Sequence, residues 1–174
     1  MISLLRTVSS ILILTVVAGC TTASHYPHTR GEFVSTYGEG GLFNSAEHFT
    51  VDRETKSVIA DVKNYAKKCL DIRVNLKRAG RYKTEKYGAP STAPPVTFNT
   101  KVETARDGST YLSVQEFGLN IKGEPPGGLF TLVAEIRAAG KNKTKVDLYH
   151  IARPFIANPL KQWVRGDEYA CPAL

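Results

Sequence analysis

The sequence is short of the residues that announce chemistry. It has three cysteines in 174 residues, and no Cys-x-x-Cys pair, so the usual zinc knuckle is excluded. There is no Gly-x-Ser-x-Gly turn and no His-Glu-x-x-His helix, which leaves no signature of a serine hydrolase or a zinc protease. Tyr37-Gly38-Glu39-Gly40-Gly41 is rich in glycine but lacks the Lys-Ser/Thr of a phosphate-binding loop. His25 and His28 flank Tyr26-Pro27 with no third ligand close by, and they read as ordinary chain. No cofactor and no metal is expected. Long hydrophobic runs are missing too. The apolar stretch Val8 to Val17 falls well short of the roughly 20 residues that cross a bilayer.

That short run has a different meaning in its setting. Arg6 supplies a small positive n-region, Ser9 to Val17 make a compact apolar h-region, and Ala18-Gly19 lead directly into Cys20. This is a signal-peptide layout with cysteine at the cleavage point. Val17-Ala18-Gly19-Cys20 resembles the lipobox of bacterial lipoproteins. The resemblance implies a diacylglyceryl group on the Cys20 thiol, cleavage before Cys20 and acylation of the freed amine. Each buried acyl carbon is worth about 0.8 kcal/mol, so one chain binds marginally and several anchor stably. Thr21, where an Asp would signal retention in enterobacterial lipoproteins, implies export to the outer membrane with the domain facing the periplasm. The expected division is 1–19 signal peptide, 20–45 flexible tether, and 46–174 a single domain.

Cysteine usage agrees with an oxidising compartment. With Cys20 committed to lipid, Cys69 and Cys171 remain as an even pair, and a disulfide between them is expected. The alternatives, a two-cysteine metal site or a free thiol, find no support in neighbouring Cys or His spacing. The formal net charge is +7, and much of it is local. Between Lys67 and Lys86, eight basic residues face only Asp71 and Glu85. Arg73, Lys77, Arg78, Arg81 and Lys83 form a candidate interaction surface there, with Tyr82 and Tyr87 interleaved. In an envelope protein such a surface suits anionic lipid or an acidic polymer better than nucleic acid. The plain alternative is a solvated basic strand edge that discourages aggregation.

Along the chain, Thr21 to about Ser45 is poor in aliphatic residues and carries four glycines, as a tether would. Phe49 and Val51 alternate as at the start of a strand. Asp52 is a plausible cap for a helix over 53–69, where Val58, Ile59, Val62, Tyr65, Ala66 and Cys69 make one apolar stripe. Strands are predicted from about Leu70 to Lys77, from Val96 to Val102, over Tyr111–Phe117 and Leu129–Ile136, and from Val146 to Ile151. Arg106-Asp107-Gly108-Ser109 supplies the best hairpin turn. Asn158 reads as a helix cap with Pro159 at the first helical position, and Gly166 as the stop. The fold expected is α+β: an antiparallel sheet of about five strands in a two-layer domain, covered on one face by an N-terminal helix and a short C-terminal helix. In the order of its elements alone this loosely resembles the helix-grip domains of envelope assembly lipoproteins, a likeness that carries no functional residue.

Candidate chemistry is thin. His48 and His150 could each act as a base if a carboxylate lay nearby, with Glu47 and Asp147 as their neighbours in sequence. Glu116 and Glu135 could meet across the sheet as an acid pair. The function expected is therefore non-enzymatic: an envelope lipoprotein that binds a protein partner or supports an assembly. A periplasmic module binding lipid or a small hydrophobe is the alternative, and a small wall or polysaccharide hydrolase stands third. Replacing Cys20 by Ala should move the protein from the membrane pellet to the soluble periplasmic fraction. Retention of Cys20→Ala protein in the pellet would contradict anchoring by lipid alone.

Overall fold

The computed structural model describes residues 26–39, 44–74, 96–118, 123–151, 154–167 and 171. In chain order the elements are α1 (Arg30–Tyr37), β1 (Asn44–Val51), α2 (Thr55–Cys69), β2 (Ile72–Val74), β3 (Val96–Thr104), β4 (Thr110–Phe117), β5 (Leu129–Gly140), β6 (Lys143–Ile151) and α3 (Pro154–Arg165). The architecture is α+β, with one antiparallel sheet in the order β1-β6-β5-β4-β3-β2. There are six strands rather than about five, because the brief alternation at Phe49 and Val51 belongs to a full strand. β3 to β6 form a meander, and the first strand closes onto the last.

Side chains alternate across each strand, and the register tells which belong together. Val146, Leu148 and His150 of β6 lie opposite Ile136, Ala134 and Leu132 of β5, and Leu112 and Val114 of β4 continue the same row. This face carries the core. Val58, Val62, Ala66 and Cys69 of α2, with Ile156, Ala157, Leu160, Trp163 and Val164 of α3, join it in one buried cluster. The Tyr65 ring stacks on Trp163 at 5.4 Å between centroids. α2 therefore buries the stripe its sequence spacing predicted.

The other face has its own cover. The stretch expected to be flexible contains α1, whose Phe33 is fully buried against Phe130 at 6.0 Å and Tyr37 at 5.0 Å. Arg30 lies 3.7 Å above the Tyr111 ring, and Tyr111 projects opposite to its core neighbour Leu112. The helix forms despite the glycines because Thr29 caps it, its hydroxyl accepting from the Glu32 N–H at 3.1 Å. The Glu32 carboxylate in turn accepts from the His28 N–H at 2.7 Å. Thr29-x-x-Glu32 is the spacing of a capping box.

Two helix starts differ from expectation. α2 begins at Thr55 after Glu54, not after Asp52. Asp52 stays exposed and Arg53 is drawn instead toward α3, with its carbonyl accepting from the Thr144 hydroxyl at 2.8 Å. α3 begins at Pro154, and Pro159 lies inside it. The preference for proline at the first helical position operates, but on the earlier proline. The expected hairpin between β3 and β4 is present, with Gly108 at φ +85° and the Ser109 N–H donating to Asp107 Oδ1 at 2.9 Å.

Cys69 at the end of α2 is bonded to Cys171, with 5.0 Å between the Cα atoms and 102 residues of separation. Replacing both by Ala should lower unfolding free energy by about 2–4 kcal/mol, against a chain-entropy ceiling of about 4.7 kcal/mol for a loop of this size. Urea denaturation of the two proteins checks this, and an unchanged midpoint would show that the bridge constrains nothing.

Candidate functional site

β1 is an edge strand, and among the described residues no strand lies beyond it. Against that edge runs an open groove of about 450 Å³. Its β1 lining is Glu47, His48 and Phe49, three consecutive residues. A cavity over one face of a strand would be lined by alternate residues, so this one follows the strand's outer edge. Its other wall is Asn158, Lys161, Gln162 and Arg165, which recur at i, i+3, i+4 and i+7 and so form one polar stripe on α3.

Two ties hold α3 beside β1. Arg53 Nη1 donates to the carbonyls of Trp163 and Val164 at 3.1 and 3.0 Å, placing a cation at the C-terminal, negative end of the helix. Its Nη2 donates to Asp61 at 2.7 Å, which joins α2 to the same clamp. Gly166 sits directly over this guanidinium at φ +84°, and a Cβ there would lie 2.7 Å from Arg53 Cζ. The second tie is Lys161, whose Nζ donates to both Glu47 oxygens at 2.9 and 3.1 Å. Burial by itself would raise the Glu47 pKa, but Lys161 and then His150 outweigh it and hold the carboxyl below its ordinary 4.5. His150 is buried with Nε2 3.4 Å from Glu47, and its Nδ1 has no hydrogen-bond partner.

On the opposite face a second network begins at the groove's rim. His48 Nδ1 and Asp147 Oδ1 are 2.7 Å apart, in directly opposed positions of β1 and β6. Asp147 is 5% exposed and also accepts from Arg137 Nη2 at 2.6 Å, with Lys145 Nζ at 3.5 Å. Arg137 Nη1 donates to Glu135 at 2.8 Å. Glu135 and Asp147 are opposed across β5 and β6, and like charges so placed repel. Arg137 bridges them. Burial would lower its pKa, yet the two carboxylates outweigh that and raise it. Tyr149 is raised as well, by burial first and then by Asp147 and Glu135.

Both histidines thus have carboxylate partners, although each takes the acid from the other strand. The Glu116–Glu135 pairing does not form. Glu116 is buried on the core face opposite Phe98, whereas Glu135 is on the outer face. A fixed Nδ1 partner is what a general base requires, but among the described residues no hydroxyl or thiol hydrogen-bonds to His48. Of the expected basic surface, Arg73 lies exposed in β2. Lys77, Arg78, Arg81 and Lys83, with Cys20, lie outside the described residues. No group of three or more His, Cys, Asp or Glu suited to a metal occurs among the described residues. No described helix is long and apolar enough to cross a membrane.

A second cavity of about 380 Å³ lies between α1 and the outer face of β3 and β4, lined in part by Thr29, Arg30, Lys101, Glu103 and Gln115. Its charges are satisfied internally: Glu103 pairs with Lys101 at 2.8 Å and with Arg30 at 3.5 Å. Compared with protein-family models, curated proteins and solved structures, the chain has no significant match in any of the three.

The Glu47–Lys161 tie has a testable pH signature. A carboxylate whose pKa is depressed in the fold adds stability above its ordinary pKa, and this is lost as pH falls through the depressed value. Glu47→Gln should therefore be less stable than the native protein near neutrality, with the difference shrinking below pH 4.5. Urea midpoints of the two proteins across that range measure it, and a pH-independent difference would exclude the ion pair as its source.

Proposed function

We propose that this is a non-enzymatic, lipid-anchored protein of the bacterial outer membrane whose domain faces the periplasm and binds a protein partner or supports an envelope assembly. The observation that carries the binding reading is the open groove between the β1 edge and the polar stripe of α3. It offers on one wall strand backbone that no other strand pairs among the described residues, and exposed amide and guanidinium groups on the other. The anchor reading rests on Val17-Ala18-Gly19-Cys20, and an oxidising compartment is in keeping with the Cys69–Cys171 bond. The basic segment around Lys77, Arg78 and Arg81 is retained as a further contact for the partner or for anionic lipid or polymer.

Both cavities lined by described residues carry mainly polar and charged side chains, which favours a protein partner over the alternative of a small hydrophobe. One observation favours a wall or polysaccharide hydrolase, the His48–Asp147 pair at the groove rim. Turnover of purified wall polymer that disappears in His48→Ala would carry that reading.

The deciding experiment is crosslinking in intact cells, followed by affinity capture and mass spectrometry, with an unrelated lipoprotein of similar abundance as control. One envelope protein enriched over the control is expected. Enrichment of none would remove the partner-binding reading and make native mass spectrometry for a bound hydrophobe the next measurement.

A further inference from the structure

We propose that the partner's binding segment is an extended, acidic stretch of chain that adds to the β1 edge as a further strand, beneath α3. This rests on the partner-binding reading above and names the chemistry of the occupant.

The edge itself is the first argument. Folded proteins guard their outer strands with short length, bulges, prolines, lysines or inward-pointing charges, because an unpaired row of N–H and C=O groups templates another strand. β1 carries one of these, the core-side Glu47, and Lys161 pairs its charge. The strand is eight residues long, Asn-Ser-Ala-Glu-His-Phe-Thr-Val, without Pro or Lys, and it pairs with β6 in unbroken register from Asn44 to Val51. The pairs β4–β5 and β5–β6 both contain register shifts. At the far end of the sheet, the described part of β2, Ile72–Val74, presents Arg73 to solvent.

The second argument is the wall beside it. The seven steps of helix from Asn158 to Arg165 rise about 10 Å at roughly 1.5 Å per residue. An added strand covers that length in about three residues at roughly 3.3 Å each. Two of its side chains, at i and i+2, would face α3 and meet the groups of the stripe. Main-chain bonds to the edge would supply affinity and these alternate side chains specificity.

Charge then selects the occupant. Among the described residues Glu47 is the only carboxylate lining the groove, and both its oxygens are taken by Lys161. His48 Nδ1 is engaged by Asp147. Arg165 is exposed and has no ion-pair partner among the described residues. The groups left to meet a ligand are the Asn158 and Gln162 amides and the Arg165 cation, which suit a carboxylate. A second copy of this chain is disfavoured, since each carries a formal net charge of +7 in full, or +6 without residues 1–19, and like-charged surfaces repel.

The test uses the full-length protein extracted in detergent, panned against random ten-residue peptides displayed on phage. Selected peptides should carry Asp or Glu at positions facing one side, and a synthetic copy should slow amide hydrogen exchange across 44–51. The same peptide with alternate backbone nitrogens methylated should lose binding. Arg165→Glu should weaken binding by about tenfold or more, while Arg106→Glu, exposed in the β3–β4 turn, should leave it unchanged. Failure to select any peptide, selection without acidic bias, protection outside 44–51, or equal binding by Arg165→Glu would each overturn the inference. The two proposals separate cleanly. A partner captured in cells equally by Arg165→Glu protein keeps the partner-binding reading and removes strand addition, whereas peptide binding at β1 with no cellular partner does the reverse.

Discussion

The pairing of β1 with β6 is the constraint on which the rest of this structure depends. It joins strands about a hundred residues apart, and its register decides which charges meet. His48 falls opposite Asp147, and Glu47 falls opposite Leu148, diagonal to His150. Because a slip of one residue would move every side chain to the other face, this register puts one ion network on each side of the sheet. Lys161 then finds Glu47 only because β1 is aligned this way, and the position of α3 follows.

The two faces of the sheet solve different problems. The core face is apolar, and α2 and α3 close it around Trp163, with Arg53 bonding the C-terminal carbonyls of α3 and the Cys69–Cys171 bond holding the chain beyond it to the end of α2. The outer face is partly aromatic beneath α1 and strongly charged elsewhere. Asp147 is buried there at 5% exposure, a position costly for a lone carboxylate. Arg137 and Lys145 supply the compensating charge, and His48 Nδ1 lies within hydrogen-bond distance of the same carboxylate.

The unequal edges of the sheet connect this architecture to function. A meander that closes its first strand onto its last must leave two edges, and here the arms of the sheet are treated differently. β2 exposes a basic side chain, Arg73. β1 is long, regular and roofed along one side by a polar helical stripe.

Much of the fold was legible in the sequence because it depends on local period. The stripe from Val58 to Cys69 is helical by spacing alone, the β3–β4 hairpin is set by Asp107-Gly108, and Cys69 and Cys171 were the two cysteines left to pair. The capping spacing of Thr29 and Glu32 was also present, but surrounding glycines masked it. Pro154 and Pro159 are both compatible with a helix start, and only the packing of Phe155 to Leu160 against the core discriminates between them. β1 was nearly invisible. Its side chains alternate between two faces that are each partly polar, so Ser45, Glu47 and His48 give no apolar period. The groove could not be read at all, since a strand at 44–51 and a helix at 154–165 become its two walls only through the β1–β6 register and the Arg53 clamp. Sequence determined which segments are helix and strand wherever one face is uniformly apolar. Tertiary structure decided which charges pair and which edge stays open, because both depend on contacts between residues a hundred positions apart.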